Sequence, residues 1–142
     1  REIAEYERMS DQVIATEELL REWLFEKKIG EVLIASHDGQ DVGFALYFHN
    51  FSTFMGRAGL YLEDIFVRPE YRGHGLGKLF FRKLAQIAVQ RGCGRMEWTC
   101  LNWNTPSIAF YESMGAIPMK DWTVHRLTGE NLRKLAEECT ES

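Results

Sequence analysis

The chain has 142 residues, 45% of them hydrophobic, and a formal net charge of −4. That is enough for one packed core and too little for two comfortable domains. No basic stripe suits a nucleic-acid surface, and no run of about 18 apolar residues could span a membrane. Cys93, Cys100 and Cys139 are odd in number and lack a C-x-x-C spacing, so neither a disulfide framework nor a zinc site is indicated. With no signal-peptide pattern either, the expectation is a single-domain, cytoplasmic, metal-free protein.

Residues 1–9 read as the tail of a helix, and Thr16 followed by Glu17 and Glu18 opens a second one to about Lys27, the hydroxyl as cap and the acids in the favourable first turn. Glu31–Ser36 and Asp41–Phe48 are apolar runs around His37-Asp38-Gly39-Gln40, and Asp-Gly between such runs signals a hairpin. His49–Arg57 reads as irregular and aromatic, and Ala58–Val67 as a long strand. The next helix places Leu76, Leu79, Phe80, Leu84, Ile87 and Ala88 on one face and stops at Gly92. Arg95–Cys100 is a further strand, Thr105 a cap with Pro106 at the first helical position, and that short helix carries Tyr111 and ends near Gly115. Met119–Leu127 reads as the last long strand, and Thr128 caps a helix to about Glu138. This order predicts a mixed α/β layer arrangement.

The densest signal is Val67-Arg68-Pro69-Glu70-Tyr71-Arg72-Gly73-His74-Gly75-Leu76-Gly77-Lys78, where a strand turns into a helix through alternating glycines. The first N–H groups of a helix lack internal partners, and the helix dipole adds roughly half a positive charge there, so an anion satisfies both. Glycines permit positive φ and remove the Cβ atoms that would hold a phosphate away, while Arg72 adds a positive charge. A P-loop needs four residues between its glycines and then Lys-Ser/Thr, whereas Gly73 and Gly77 enclose three and Leu79 follows Lys78. The dinucleotide fingerprint needs a glycine where Lys78 stands.

What remains, Arg-Gly-x-Gly-x-Gly after a strand ending in Val-Arg-Pro, resembles the pyrophosphate loop of the GNAT superfamily of acetyl-CoA-dependent N-acetyltransferases. Tyr6-Glu7, Tyr61-Leu62-Glu63-Asp64, Asn102-Trp103-Asn104-Thr105-Pro106-Ser107, Phe110-Tyr111 and Gly115-Ala116 extend the likeness over nearly the whole chain. Within the superfamily it is most similar to the spermidine/spermine (diamine) and thialysine N-acetyltransferases. The resemblance implies a GNAT fold, α/β (α+β), with a mixed, mostly antiparallel sheet splayed around acetyl-CoA and helices on both faces. It implies one domain over residues 1–142 that lacks a first strand and the start of a first helix before Arg1. It also implies a homodimer, acetyl-CoA as co-substrate and a small-molecule amine as substrate. Ile65, Phe66 and Val67 would pair with the pantetheine arm, Arg72, Gly73, His74, Gly75, Leu76, Gly77 and Lys78 would cradle the pyrophosphate, and Asn104 and Ser107 would add coenzyme contacts. Glu63 matches a carboxylate beside the amine and Tyr111 the acid that protonates the departing thiolate. Tyr6, Glu7, Asp64, Asp121 and Trp122 are the other substrate-side candidates. Thr53-Phe54-Met55 departs from polyamine-specific members, which carry an acidic and an aromatic residue there.

The residue types suit that chemistry. An ammonium has no lone pair, so attack on a thioester requires a base, and a partly buried carboxylate such as Glu63 serves, directly or through water. A phenol with a pKa of about 10 can hand a proton to a thiolate, which suits Tyr111. A strand bulge around Phe66 would offer backbone N–H groups to the thioester oxygen. Either acid of Glu63-Asp64 also reads as a solvated strand residue, Tyr111 as a packed aromatic and Asn104 as a turn residue. The aromatic segment Asn50–Met55 and Trp122 point to an enclosed amine site. Direct transfer in a ternary complex is the leading expectation. A non-catalytic coenzyme A-binding module and a protein or peptide N-acetyltransferase are the alternatives.

Overall fold

The structure, a computed structural model, describes residues 15–139. The helix expected over residues 1–9, and the candidates Tyr6 and Glu7, lie outside the described residues. Contacts divide the chain into two compact units, one ending at Asn102 and one beginning at Trp103.

In the first unit Thr16 caps helix α1 (Glu17–Arg21), its hydroxyl accepting the Leu19 N–H at 3.1 Å. The helix continues as one π-helical turn over Glu22–Glu26, marked by the Lys27 N–H donating to the Glu22 carbonyl at 2.8 Å. Strands β1 (Glu31–His37) and β2 (Gln40–Ser52) form the Asp-Gly hairpin, with Asp38 and Gly39 both at positive φ, 50° and 79°.

The stretch His49–Arg57, expected to be irregular, is a second hairpin. Strand β2 runs to Ser52 and β3 (Arg57–Val67) starts five residues later. Ser52 makes that turn, its hydroxyl accepting the Met55 N–H at 3.2 Å and its carbonyl the Gly56 N–H at 2.8 Å. Phe54 at the tip is 95% exposed.

Helix α2 (Leu76–Gln90) buries Phe80, Phe81, Leu84 and Ala88. Leu79, expected on the core face, is 55% exposed. The helix is rolled toward strand β4 (Met96–Trp98), where Phe81 meets Trp98 edge-on at 4.9 Å, and a residue 100° before Phe80 then turns outward. Gly92 (φ 75°) ends the helix, the Gly92 N–H donating to Val89 and the Cys93 N–H to Ala88 at 3.1 and 2.9 Å, a Schellman ending. The sheet order is β1-β2-β3-β4, antiparallel except for β3 with β4. β4 is shorter than the expected Arg95–Cys100, because its ladder with β3 covers only Leu60–Leu62. Val42, Ala45, Tyr47, Leu60 and Leu62 join the buried α2 residues in the core of this unit.

Beyond the helix end a polar network ties α2 to the sheet. The Arg91 guanidinium donates to both carboxylate oxygens of Glu31, at 2.6 and 2.9 Å, and to His49 Nε2 at 3.0 Å. His49 Nδ1 lies 3.1 Å from the Gly59 carbonyl. A guanidinium only donates and a carbonyl only accepts, so the ring proton sits on Nδ1. The Arg91 bond, foremost, holds the Glu31 carboxyl below its ordinary pKa.

The second unit holds α3 (Thr105–Ser113) and α4 (Gly129–Glu137). Asn104, not Thr105, occupies the cap of α3 and Pro106 the second helical position, where a missing N–H is equally harmless. Gly115 (φ 89°) closes the helix, its N–H bonding to Glu112 and that of Ala116 to Tyr111, at 2.9 and 3.1 Å. The strand expected over Met119–Leu127 is not formed. Its apolar residues Met119, Trp122, Val124 and Leu127 are exposed.

A carboxylate whose folded pKa is depressed contributes stability above its unfolded pKa and loses it as pH falls through the folded value. The Arg91–Glu31 pair is partly exposed, so Arg91→Ala should cost roughly 0.5–1 kcal/mol at neutral pH, about 2–4 °C in melting temperature. In thermal unfolding followed by circular dichroism, the gap between wild type and variant should close as pH falls below the carboxylate range. A gap unchanged by pH would assign the loss to packing alone.

Candidate active site

The backbone of β3 changes sides halfway along. Before Glu63 the even-numbered residues face β4: the Leu60 N–H donates to the Arg95 carbonyl, and the Ala58 carbonyl accepts from Gly94, both at 3.0 Å. After it the even-numbered residues face β2, since the Arg68 N–H donates to the Val42 carbonyl at 2.8 Å. The switch is a bulge. Tyr47 pairs with Leu62 and Leu46 with Asp64, leaving Glu63 unopposed. The bulge expected around Phe66 therefore sits three residues upstream, and Phe66 itself pairs regularly with Phe44.

Alternation along an antiparallel ladder then turns the N–H and C=O groups of Ile65 and Val67 away from β2, and those of Phe66 toward it. On the outward side β4 has already ended, its pairing confined to Leu60–Leu62. Two residues of β3 thus present main-chain donors and acceptors along an edge without a described strand partner.

That edge leads into the glycine turn. A short 3₁₀ turn over Pro69–Tyr71 precedes it, and Gly73 and Gly75 both have φ of 81°. Gly75 caps α2 and offers no side-chain acceptor, and no acid stands in the first turn. The first helical bond is the Leu79 N–H to the Gly75 carbonyl at 3.0 Å. A Cβ at Gly73, Gly75 or Gly77 would meet no atom within 4 Å. Positive φ accounts for glycine at 73 and 75. At 77 neither φ nor packing demands it, and glycine inside a helix is unfavourable by about 1 kcal/mol against alanine. Open space over an uncapped helix N-terminus fits a pyrophosphate.

Of the paired acids, Glu63 is exposed and Asp64 half-buried. Burial raises the pKa of both, and the Asp64 charge raises that of Glu63 further. In the second unit Asn104 is buried at the cap of α3, and Ser107 and Tyr111 are half-buried at positions three and seven residues on, so the three share one helix face. Asp121 and Trp122 follow that helix, both exposed, Trp122 at 73%. Arg72 makes a contact that its sequence position does not signal: its Nε donates to the Val67 carbonyl at 2.9 Å and its guanidinium lies 5.5 Å from the centre of the Phe66 ring.

A mixed sheet whose open strand edge runs into an anion-ready helix N-terminus defines a coenzyme A-dependent acyltransferase fold. Residues 2–116 match the acetyltransferase (GNAT) family, and the chain belongs to it. It is 39% identical to a thialysine N-epsilon-acetyltransferase of Bos taurus, over 96% of this chain and 86% of that protein. It is 42% identical to the L-ornithine N5-acetyltransferase NATA1 of Arabidopsis thaliana, over 81% of this chain and 47% of that one. Among solved structures, an integron cassette protein from the mobile metagenome of V. cholerae superposes with a TM-score of 0.81 at 30% identity, covering 96% and 86% of the two chains. The protein is thus an N-acetyltransferase of the GNAT family, whose co-substrate is acetyl-CoA. No helix among the described residues is long and apolar enough to cross a membrane.

The substitution that tests the cradle is Gly77→Val. Gly75→Val would confound lost space with backbone strain, since its φ is 81°. At position 77 the new side chain enters the open space alone, so thermal stability should change little. Acetyl-CoA affinity by calorimetry should fall by about tenfold or more, equivalent to about 1.4 kcal/mol. Unchanged affinity would show that the turn is only a turn.

Proposed function

We propose that this enzyme acetylates the primary amine of a small diamine or of an amino-acid side chain, by direct transfer in a ternary complex and as a homodimer. The observation that carries the reading is the raised carboxyl of Glu63, left unopposed at the bulge where the open edge of β3 begins. The relatives' names support the substrate class, because thialysine Nε and ornithine N5 are both terminal side-chain amines. Two-fold pairing is supported only by its frequency among oligomers.

In this reading the outward groups of Ile65 and the outward N–H of Val67, whose carbonyl already accepts from Arg72, pair with the pantetheine arm, and the N–H groups from Gly73 to Lys78 bind the pyrophosphate. Asn104 and Ser107 add coenzyme contacts. The coenzyme supplies the activated acetyl thioester. Glu63 takes the ammonium proton, directly or through a water, and Tyr111 returns one to the thiolate. Asp64, Asp121 and Trp122, with Tyr6 and Glu7, favour a cation over a neutral substrate. The Thr53-Phe54-Met55 segment carries no acid that could pair with a distant second or third ammonium.

The test is kcat/KM, followed by thiol release, across lysine, thialysine, ornithine, putrescine, spermidine, spermine and a lysine peptide. Amino acids with a terminal amine and short diamines should lead. A lead of tenfold or more by spermine or the peptide would overturn the substrate class, and no turnover of any amine despite coenzyme binding would favour a non-catalytic module. Tyr111→Phe should lower kcat by roughly 10²–10⁴ with coenzyme affinity retained. Raised above the ordinary carboxylate value, Glu63 should set the acid limb of the pH profile, and Glu63→Gln should remove that limb and reduce turnover more than Asp121→Asn does. An intact limb in Glu63→Gln would transfer the role of base to another group.

A further inference from the structure

We propose that Arg72 is a positioning residue that clasps the glycine turn to the last carbonyl of β3, and that this clasp, more than its charge, makes the turn competent for the coenzyme. The inference rests on the reading that the turn holds the pyrophosphate. The argument starts from the ladder. The Val67 carbonyl faces the outer edge of β3, where β4 no longer runs, so neither neighbouring strand supplies it a donor. Arg72 does so from five residues ahead, with its Nε–H at 2.9 Å.

The bond closes a loop of chain. From Val67 the backbone passes through the 3₁₀ turn, held by the Tyr71 N–H on the Arg68 carbonyl at 2.9 Å and the Arg72 N–H on the Pro69 carbonyl at 3.3 Å. It then enters two glycines in the left-handed region. Glycine is the residue least able to hold its own φ and ψ. A side-chain bond just before Gly73 fixes where the glycines start. The guanidinium also lies 5.5 Å from the centre of the Phe66 ring, and that ring packs against Phe44 of β2 at 6.2 Å, so the clasp is seated on a packed pair. The two halves of the proposed coenzyme site, the strand edge at Ile65 and Val67 and the amides of residues 73–78, are thereby held at one separation. Preorganisation of this kind lowers the ordering cost of binding.

Chemistry supplies substitutions that separate the clasp from the charge. The amide nitrogen of a glutamine lies as many bonds from Cα as Nε of an arginine, so Arg72→Gln keeps an N–H donor at the same reach and removes the charge. Arg72→Lys keeps the charge but replaces the planar donor with an ammonium on a flexible stem. Arg72→Met removes both.

Two readouts are needed. Amide hydrogen exchange of residues 72–79 in the coenzyme-free protein should rise by about tenfold in Arg72→Lys and Arg72→Met and stay within about threefold of wild type in Arg72→Gln. Acetyl-CoA affinity should follow the same order, with Arg72→Gln within about threefold and the other two weakened by about tenfold or more. Retained affinity in Arg72→Lys with a large loss in Arg72→Gln would overturn the clasp and make Arg72 a simple counter-charge. Exchange unchanged in all three variants would overturn it as well. A wild-type protein that binds no acetyl-CoA would instead refute the reading of the turn, while the exchange pattern would still decide whether the clasp exists.

Discussion

The structure depends on one extra residue in β3. Glu63 has no partner on β2, and the bulge it makes exchanges the edges that the odd and even residues of the strand address. Upstream, Ala58 and Leu60 spend their main-chain bonds on the segment leading into β4. Downstream, the same parity is committed to β2, and Ile65 and Val67 are turned outward past the point where β4 ends. Without the bulge, Ile65 and Val67 would face β2, and a different pair of residues would face the open edge. The same residue that produces the edge carries the carboxylate at its start.

The second constraint is the direction of α2. A helix N-terminus binds an anion only where its N–H groups point, so the axis must be held at both ends. At the C-terminal end Gly92 and Cys93 close the Schellman bonds, and Arg91 reaches β1 and β2 through Glu31 and His49. Fifteen residues of helix lie between that anchor and the N-cap glycine, with Phe80, Phe81, Leu84 and Ala88 seated in the core along the way. At the other end stand the glycine turn and Arg72. The ion pair is partly exposed and worth little by itself, so its significance is geometric: it joins the helix to the two strands farthest from β4.

Local chemistry was legible in the sequence and pairing was not. Thr16, Asp38-Gly39, Gly92 and the glycine turn each do what their own backbone preferences require, and each lies where it was expected. The larger failures depend on pairing or packing against another element. The roll of α2 that exposes Leu79 and buries Phe81 is set by Trp98. A bulge has no residue signature of its own, so the sequence presents Glu63 as an ordinary strand position and points to a bulge at Phe66, where pairing is regular. Met119–Leu127 carries residues that suit a strand, yet residue type alone supplies no ladder. The role of Arg72 is the subtlest case: beside three glycines its charge is the obvious feature, and the bond that distinguishes it runs backward to Val67.

The adjacency of Glu63 and Asp64 bears on the energetics of the proposed transfer. A primary ammonium has a pKa of about 10.4, so removing its proton with an ordinary carboxylate near 4.3 is uphill by roughly six units at 1.36 kcal/mol each. An ammonium drawn close to a carboxylate makes matters worse, since each ion favours the charged form of the other. Tight ion pairing would thus bind the substrate and hold it in the unreactive state. Burial opposes this by disfavouring charge, and a second carboxylate one residue along raises the first. The two acids together can attract a cation while leaving Glu63 a stronger base than either would be alone in water. A site built on a single well-solvated carboxylate would attract the amine less strongly and meet a larger gap in pKa, so in the proposed reading the adjacent pair serves both recognition and deprotonation.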